Sequence, residues 1–346
     1  MKSHVHSTTQ LADLLGLSRC TISRALNGNA TVNPKTMSRI KEAALQHGFS
    51  PNILGRGLRA GKTNLVGICL PPVVEYALVT KISRLHLAIK ERGFHPIMQM
   101  TDGSENEENI ALESFSSMRC AGVFVIASQL EATASGMRSL SAKEIPIVMI
   151  DPTHATEHHV VTTDRAGGMC LALEHFHQLG HRSIVAMGFQ DKGAYNSQRL
   201  QGLRKGCEAL GWSFERDIHF LQSSLSDIND FATGADMAKT YISMPGKRIP
   251  AILAVNDNVA LGAMDTLKAS GLQIPEDVSI IGNNNSTFTA YIQPGLTTLD
   301  SQAAELIDHA IALLPTTGCQ TPTPQHIVFH PQLIVRKSVA APPTGL

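Results

Sequence analysis

QLADLLGLSRCTISRALNG, Gln10 to Gly28, reads as two short helices joined by a glycine turn. Leu11, Leu14 and Leu15 recur at helical spacing, Gly16-Leu17-Ser18 interrupts them, and Ile22, Ala25 and Leu26 resume the pattern. Ser18 suits the N-cap of the second helix, since its hydroxyl can accept a bond from an unpaired first-turn amide. With Ile22, Ala25 and Leu26 turned inward, Arg19, Cys20, Ser23, Arg24 and Asn27 face outward or flank the outer face. A short basic helix with a polar face and an apolar back fits a DNA major groove. Any small helical hairpin shares the apolar pattern, so the neighbouring sequence has to decide.

Asn33-Pro34 opens a third helix, with Asn33 as N-cap and Pro34 at the first position, and Gly48 ends it. Charge then sets this region apart. The chain as a whole is neutral, with 29 basic and 29 acidic residues. Residues 1–63 hold nine Lys/Arg against Asp13 and Glu42, which leaves 20 basic and 27 acidic residues for the remainder. A basic head on an acidic body points to a polyanion-binding module joined to one that does not bind polyanions. Between them lies SPNILGRGLRAGKT, Ser50 to Thr63. Gly55 and Gly57 each weaken a helix there by about 1 kcal/mol relative to Ala. Such a linker is expected to become helical only against a partner.

From Leu65 onward, apolar runs alternate with amphipathic ones. LVGICL (65–70), HPIMQM (95–100), GVFVIA (122–127), IPIVMI (145–150) and VVTTD (160–164) read as strands with helices between them. The pattern repeats through SIVAMGF (183–189), IHFLQ (218–222), AILAVN (251–256) and VSIIG (278–282). Two similar sets predict two lobes, each a mostly parallel sheet with helices on both faces. LTTLD (296–300) and IVFHPQLIVRKS (327–338) come after the second set, which suggests that the chain crosses back between lobes. Ligands in such folds sit at strand C-terminal ends, here the cleft between lobes.

Several chemistries are excluded. No apolar run approaches the roughly 18 residues that span a bilayer. MKSHVHSTTQ lacks the apolar core of a secretory signal, and the six cysteines form no CxxC pair. A reduced, cytoplasmic setting is expected, with no membrane association. Ala60-Gly61-Lys62-Thr63 echoes a phosphate loop, but Arg56 stands where that loop needs Gly and a strand follows instead of a helix. The fifteen histidines are scattered without ligand spacing, so neither metal, cofactor nor enzymatic activity is expected.

Four blocks together resemble the lactose/galactose-repressor family of bacterial transcription regulators: Leu11–Gly28, Ser50–Pro71, Val160–Gly188 and Ile252–Gly282. The resemblance implies a small all-α helix-turn-helix head plus hinge, joined to a two-lobed α/β core with parallel sheets like that of periplasmic binding proteins. In residues, it implies a head over 1–49, a hinge over 50–63 and a core over 64–340, followed by a tail, 341–346. The first lobe is expected over about 64–161 and 294–324, the second over about 162–293 and 325–340. It also implies a homodimer that acts as a repressor on a near-palindromic operator, governed by a small-molecule effector such as a sugar or related metabolite. A sugar-binding protein of the periplasmic type, without DNA function, shares the core and is the alternative.

Carried over by position, Arg19, Cys20, Thr21, Ser23 and Arg24, with Asn27, face bases or backbone. Leu58 matches the family's hinge leucine, which the resemblance implies wedges between base pairs with Arg56 and Arg59 flanking it. For the effector the resemblance implies Asp164, Arg199, Asn256 and Asp257, with Tyr76 and Asn284 at pocket positions. Capping remains open for Asp164 and Asp257, and a surface ion pair for Arg199. Asn283-Asn284-Asn285 departs from the usual aromatic followed by two acids, which removes charged acceptors for hydroxyls and favours an anionic or less hydroxylated ligand.

Overall fold

Ser7 opens the first helix by accepting the Gln10 amide on its hydroxyl at 3.1 Å. The computed structural model describes residues 5, 7–26, 31–49, 63–72, 76–190, 194–225, 229–245, 248–314 and 323–343. The chain divides into two units, Met1–Asn64 and Leu65–Leu346. In the first, α1 spans Thr8–Leu15, α2 Arg19–Leu26 and α3 Pro34–Gln46. Gly16 closes α1 at φ 64°, a left-handed conformation that costs glycine nothing. Ser18 caps α2 through the Thr21 amide at 3.1 Å, and Asn33 caps α3 through the Lys35 amide at 2.9 Å. Leu11, Ile22, Ala25, Ile40 and Ala44 form one small core, which Leu26 joins only partly. Leu14, expected to repeat with the inward set, is exposed. Arg39 donates to the Leu15 carbonyl at 3.0 Å and so ties α3 to the end of α1.

The second unit holds two six-stranded sheets. Its elements in order are β1 (Leu65–Leu70), α4 (Tyr76–Glu91), β2 (His95–Met100), α5 (Glu105–Ser117), β3 (Gly122–Ile126), α6 (Ser135–Ser141), β4 (Ile147–Ile150) and β5 (His159–Thr163). Next come α7 (Arg165–Gln178), β6 (Ile184–Met187), α8 (Ala194–Leu210), α9 (Phe214–Asp217), β7 (Ile218–Leu221), α10 (Phe231–Ser243), β8 (Ala251–Ala254), α11 (Asp257–Ala269) and β9 (Ser279–Asn283). The tail supplies β10 (Thr297–Asp300), α12 (Ala303–Ala312), β11 (His326–Phe329) and β12 (Gln332–Ile334). Sheet order is β11-β5-β4-β3-β1-β2 in the first lobe and β12-β10-β9-β8-β6-β7 in the second. All pairs are parallel except β10 with β12. β1, β3, β4, β6 and β8 are buried along their whole length, as expected of parallel strands covered on both faces.

The lobe boundaries expected in the tail need correction. β10, placed by the sequence in the first lobe, pairs with β9 in the second, while β11 pairs with β5 in the first. The chain therefore crosses after Thr163, again at Ser301-Gln302 and finally at His330-Pro331. Leu306, Ile307 and Ala310 of α12 pack into the first-lobe core, and Arg84 of α4 grips Asp308 with two bonds of 2.8 and 2.7 Å. Thr297-Thr298 looked like the start of a return, but both side chains are buried in the second sheet.

The three crossings are laced together. The Asp164 amide donates to the Phe329 carbonyl at 2.8 Å. His330 Nδ1 meets Asp164 Oδ2 at 3.1 Å, and Gln302 Nε2 donates to the His330 carbonyl at 2.5 Å.

In the second lobe α10 and α11 pack at backbone distance. A Cβ on Gly262 would stand 2.0 Å from the Phe231 carbonyl oxygen, which belongs to rigid main chain. Gly262→Ala is expected to lower the unfolding free energy by at least about 2 kcal/mol, read as a shifted urea midpoint. A midpoint within error of wild type would show that the helices separate freely.

Candidate functional site

Two sites emerge, one in each unit. In the head, Arg19, Cys20, Ser23 and Arg24 are exposed on α2, while Ile22 and Ala25 anchor its back. Thr21 is half-buried, and its hydroxyl lies 2.8 Å from that of Ser18 at the helix start. The outward face of α2 thus carries two guanidinium groups beside small polar side chains. Asn27, Arg56, Leu58 and Arg59 lie outside the described residues.

In the core, a cavity of about 320 Å³ opens where strand C-terminal ends of both lobes converge. Pro71 and Pro72 follow β1, Ala127 follows β3, Asp151 follows β4, and Asn283-Asn284 ends β9. The backbone is unusual there: Ala127, Asp151 and Asn284 take φ of 56°, 51° and 111°, values that L-residues reach only at some cost. Leu78, Ile126, Met169 and Leu299 make apolar walls.

Polar groups gather on Asp151, which is 3 % exposed. Lys81 of α4 reaches its Oδ2 at 2.7 Å, and Arg165, the first residue of α7, reaches Oδ1 at 3.1 Å. The Thr162 hydroxyl and the Thr163 amide donate to Oδ1 as well, at 3.1 and 3.0 Å. Burial disfavours the charge, but the Arg165 and Lys81 cations outweigh it and hold the Asp151 carboxyl well below the usual range. The Arg165 guanidinium lies 4.1 Å from the centre of the Tyr195 ring, and the Tyr195 hydroxyl donates to the Asp151 carbonyl. Asp151 of the first lobe thus holds two residues of the second.

The structure distributes the expected effector residues unevenly. Arg199 and Asn284 line the cavity, and Arg199 donates to Asn196 at 3.3 Å. Asp164 is absent from its described lining; the carboxylate caps α7 through the Gly167 amide at 2.8 Å. Asn256 caps α11 through the Val259 amide at 2.9 Å, the role the sequence had left open for Asp257. For Tyr76 only the backbone is described. Among the asparagines, Asn283 donates to the Val255 carbonyl at 3.2 Å, and Asn285 turns away to Asp300 and Arg336.

Asp257 is buried and not among the residues that line the cavity, with its Oδ1 accepting the Thr298 hydroxyl at 2.6 Å and its Oδ2 the Ser286 amide at 2.7 Å. Burial nonetheless pushes its carboxyl up to about 6. A carboxyl raised in the folded state stabilises most below its unfolded pKa, and that contribution is lost as pH rises through 6. Asp257→Asn cannot ionise, so it should gain on wild type by roughly 3 kcal/mol between pH 4 and 7 in denaturation experiments. A constant difference across that range would refute the assignment.

Sequence reasoning missed Lys81, Asp151, Arg165 and Tyr195. Two signals were available. Lys81 sits in register with buried Leu85 and Ile89 on the inner stripe of α4, and Asp151 directly follows a wholly apolar strand.

Comparison with known proteins places the head. Residues 9–52 match the bacterial regulatory proteins of the lacI family, and residues 173–339 match a periplasmic binding protein-like domain. The chain thus joins a lacI-family head to a periplasmic binding protein-like core. With that head the chain is a DNA-binding transcription regulator and not an enzyme. It is 25 % identical over 332 residues to the HTH-type transcriptional repressor PurR of Vibrio cholerae, spanning 95 % of this chain and 96 % of the relative. The fold is similar to the lac repressor dimer bound to operator and the anti-inducer ONPF, with a TM-score of 0.80 at 19 % identity, covering 98 % of this chain and 100 % of that one. It is also similar to the regulator CelR in complex with cellobiose, with a TM-score of 0.60 at 22 % identity, over 96 % and 99 % of the two chains. The lacI-family head removes the reading as a binding protein without DNA function. No helix among the described residues is long and apolar enough to cross a membrane.

Proposed function

We propose that this lacI-family regulator binds a near-palindromic operator as a homodimer and represses transcription in the cytoplasm, under the control of a small metabolite in the interlobe cleft. The observation that carries this reading is the pairing, in one chain, of an exposed basic helix with a cavity lined by both lobes. Arg19 and Arg24 are assigned to base edges or phosphates, and Cys20, Thr21 and Ser23 to the adjoining surface. Asn27, Arg56, Leu58 and Arg59 would extend the contact toward the minor groove. Arg199 and Asn284 are assigned to the effector, while Asp164, Asn256 and Asp257 act by holding the frame around it. The names of similar proteins support the ligand class: one binds cellobiose and another is a repressor on its operator.

The first lobe supports dimerisation. Edge strand β2 exposes Met98 and Met100, at 49 % and 64 %, and α4 exposes Val79 and Leu87, at 44 % and 56 %. Burying these against a second copy would remove apolar surface and cover an open sheet edge. Genomic footprinting tests the whole reading. It is expected to show protected sites with two-fold symmetry and occupancy that falls steeply with salt. An absence of salt-sensitive protection, with and without a metabolite panel, would overturn it.

A further inference from the structure

We propose that Tyr195 is a clasp between the lobes, holding the cleft closed through its hydroxyl and so setting operator affinity before any effector binds. This rests on reading the cleft as the control site and adds the chain's own contribution to its closure. The two ends of the bond belong to different lobes. Asp151 follows β4 of the first sheet, whereas Tyr195 stands in the first turn of α8, whose Leu203 and Cys207 pack in the second-lobe core. The acceptor is a fixed post. The Asp151 amide donates to the Val161 carbonyl at 2.9 Å, and its carboxylate takes the Lys81 ammonium, the Thr162 hydroxyl and the Thr163 amide, all first-lobe groups. Its φ of 51° ends the strand, and the carbonyl accepts the Tyr195 hydroxyl instead of a sheet amide.

Position in the sheets makes this bond sensitive to opening. The three crossings attach at β5, β10, β11 and β12, which lie together at one side of each sheet, while β2 and β7 form the opposite edges. Tyr195 follows β6, the strand next to β7, so it rides on the half of the second lobe farther from the crossings. Arg165, two residues after the first crossing at Thr163, would stay near Asp151 however the lobes swing. The Tyr195 hydrogen bond is lost once donor and acceptor part beyond about 3.5 Å, so it survives only in the closed arrangement. Its free energy therefore enters the closed-to-open ratio directly, and one such bond changes that ratio by roughly two- to tenfold. The donor keeps its proton, because burial and then the Asp151 charge push the Tyr195 hydroxyl above its ordinary range. The Arg165 guanidinium, 4.1 Å from the ring centre, steadies the ring.

Tyr195→Phe tests the clasp, since it removes the hydroxyl and keeps the ring beside Arg165. Full-length protein carries nitroxide labels at two exposed rim positions, Asn106→Cys in the first turn of α5 and Leu225→Cys beyond β7. Cys20→Ser, Cys170→Ser and Cys319→Ser confine the labels to those sites, and dilution with unlabelled protein restricts the distances to one chain. Without added metabolite, the parent should give one narrow distance, and Tyr195→Phe should add a longer component. Operator affinity, measured without metabolite on unlabelled protein with its native cysteines, should change at least about twofold. An unshifted, narrow distance in Tyr195→Phe would overturn the clasp, as would a broad distribution in the parent. A lengthened distance with unchanged operator affinity would overturn its control of DNA binding. A metabolite panel separates the clasp from the reading beneath it. If metabolites move operator affinity while Tyr195→Phe moves neither measurement, control through the cleft stands and the clasp is refuted. If neither metabolites nor the variant moves operator affinity, both fail.

Discussion

A chain that starts at Asn64 is expected to lose at least 1,000-fold in operator affinity at about 0.15 M salt, the gap between specific binding and none. The argument begins with charge. Residues 1–63 carry nine of the 29 basic residues and two of the 29 acidic ones, so the remaining chain is net acidic and repels DNA. The shortened protein should keep its cooperative melting transition, because the head buries its own core within residues 5–49 and the two sheets bury theirs beyond residue 64. Gel-shift titration across a salt series measures the first part and calorimetry the second. Retained salt-sensitive affinity would show that the head is not the reader. Arg24→Ala provides a graded control. One guanidinium contact on α2 is worth about 1–3 kcal/mol if it reads a base, and the loss should then fall on particular operator positions.

Asp151→Ala is expected to cost about 3–5 kcal/mol of unfolding free energy. Removing the carboxylate takes away the charge that Lys81 and Arg165 share, and their side chains are only 10 % and 14 % exposed. Adding Lys81→Met should return part of that loss, since the second change removes a buried cation whose Asp151 partner is gone. The double-mutant cycle then separates the pair's coupling from simple loss of packing. Because the Asp151 carboxyl is held below its unfolded value, its contribution is present above about pH 4 and is lost as the solution is acidified below that point. The variant's stability should fall less with acid than that of wild type. Parallel acid profiles would mean that the carboxylate is not the anchor of the cluster.

How far this was legible in the sequence depends on the range of the interaction concerned. Gly16, Ser18 and Asn33 act within a few residues of themselves, and each start or stop they mark lies where their chemistry places it. The apolar runs that became β1, β3, β4, β6 and β8 announce buried parallel strands by composition alone. The cleft was harder to read. Lys81 and Asp151 are 70 positions apart, and nothing local says that they meet. Asp164 and Asp257 were plausible ligand groups by position. The carboxylate of one is turned to a helix cap and that of the other to the β9–β10 junction, choices fixed by neighbouring backbone amides. β10 and β11 were assigned to the wrong lobes because pairing partners in parallel sheets are chosen across long stretches of chain, while a five-residue strand reads alike in either sheet.

The lacing of the three crossings has a consequence for how the protein is made. Each sheet receives an edge strand from one short stretch, residues 326–334, which follows every other strand of the core. Until that stretch leaves the ribosome, β5 and β10 each present an unpaired edge, and neither lobe is complete. A nascent core must therefore wait until residue 334 has been made, with both edges open to foreign strands. Both lobes are then completed by the same few residues, so they mature as one event despite their separate cores.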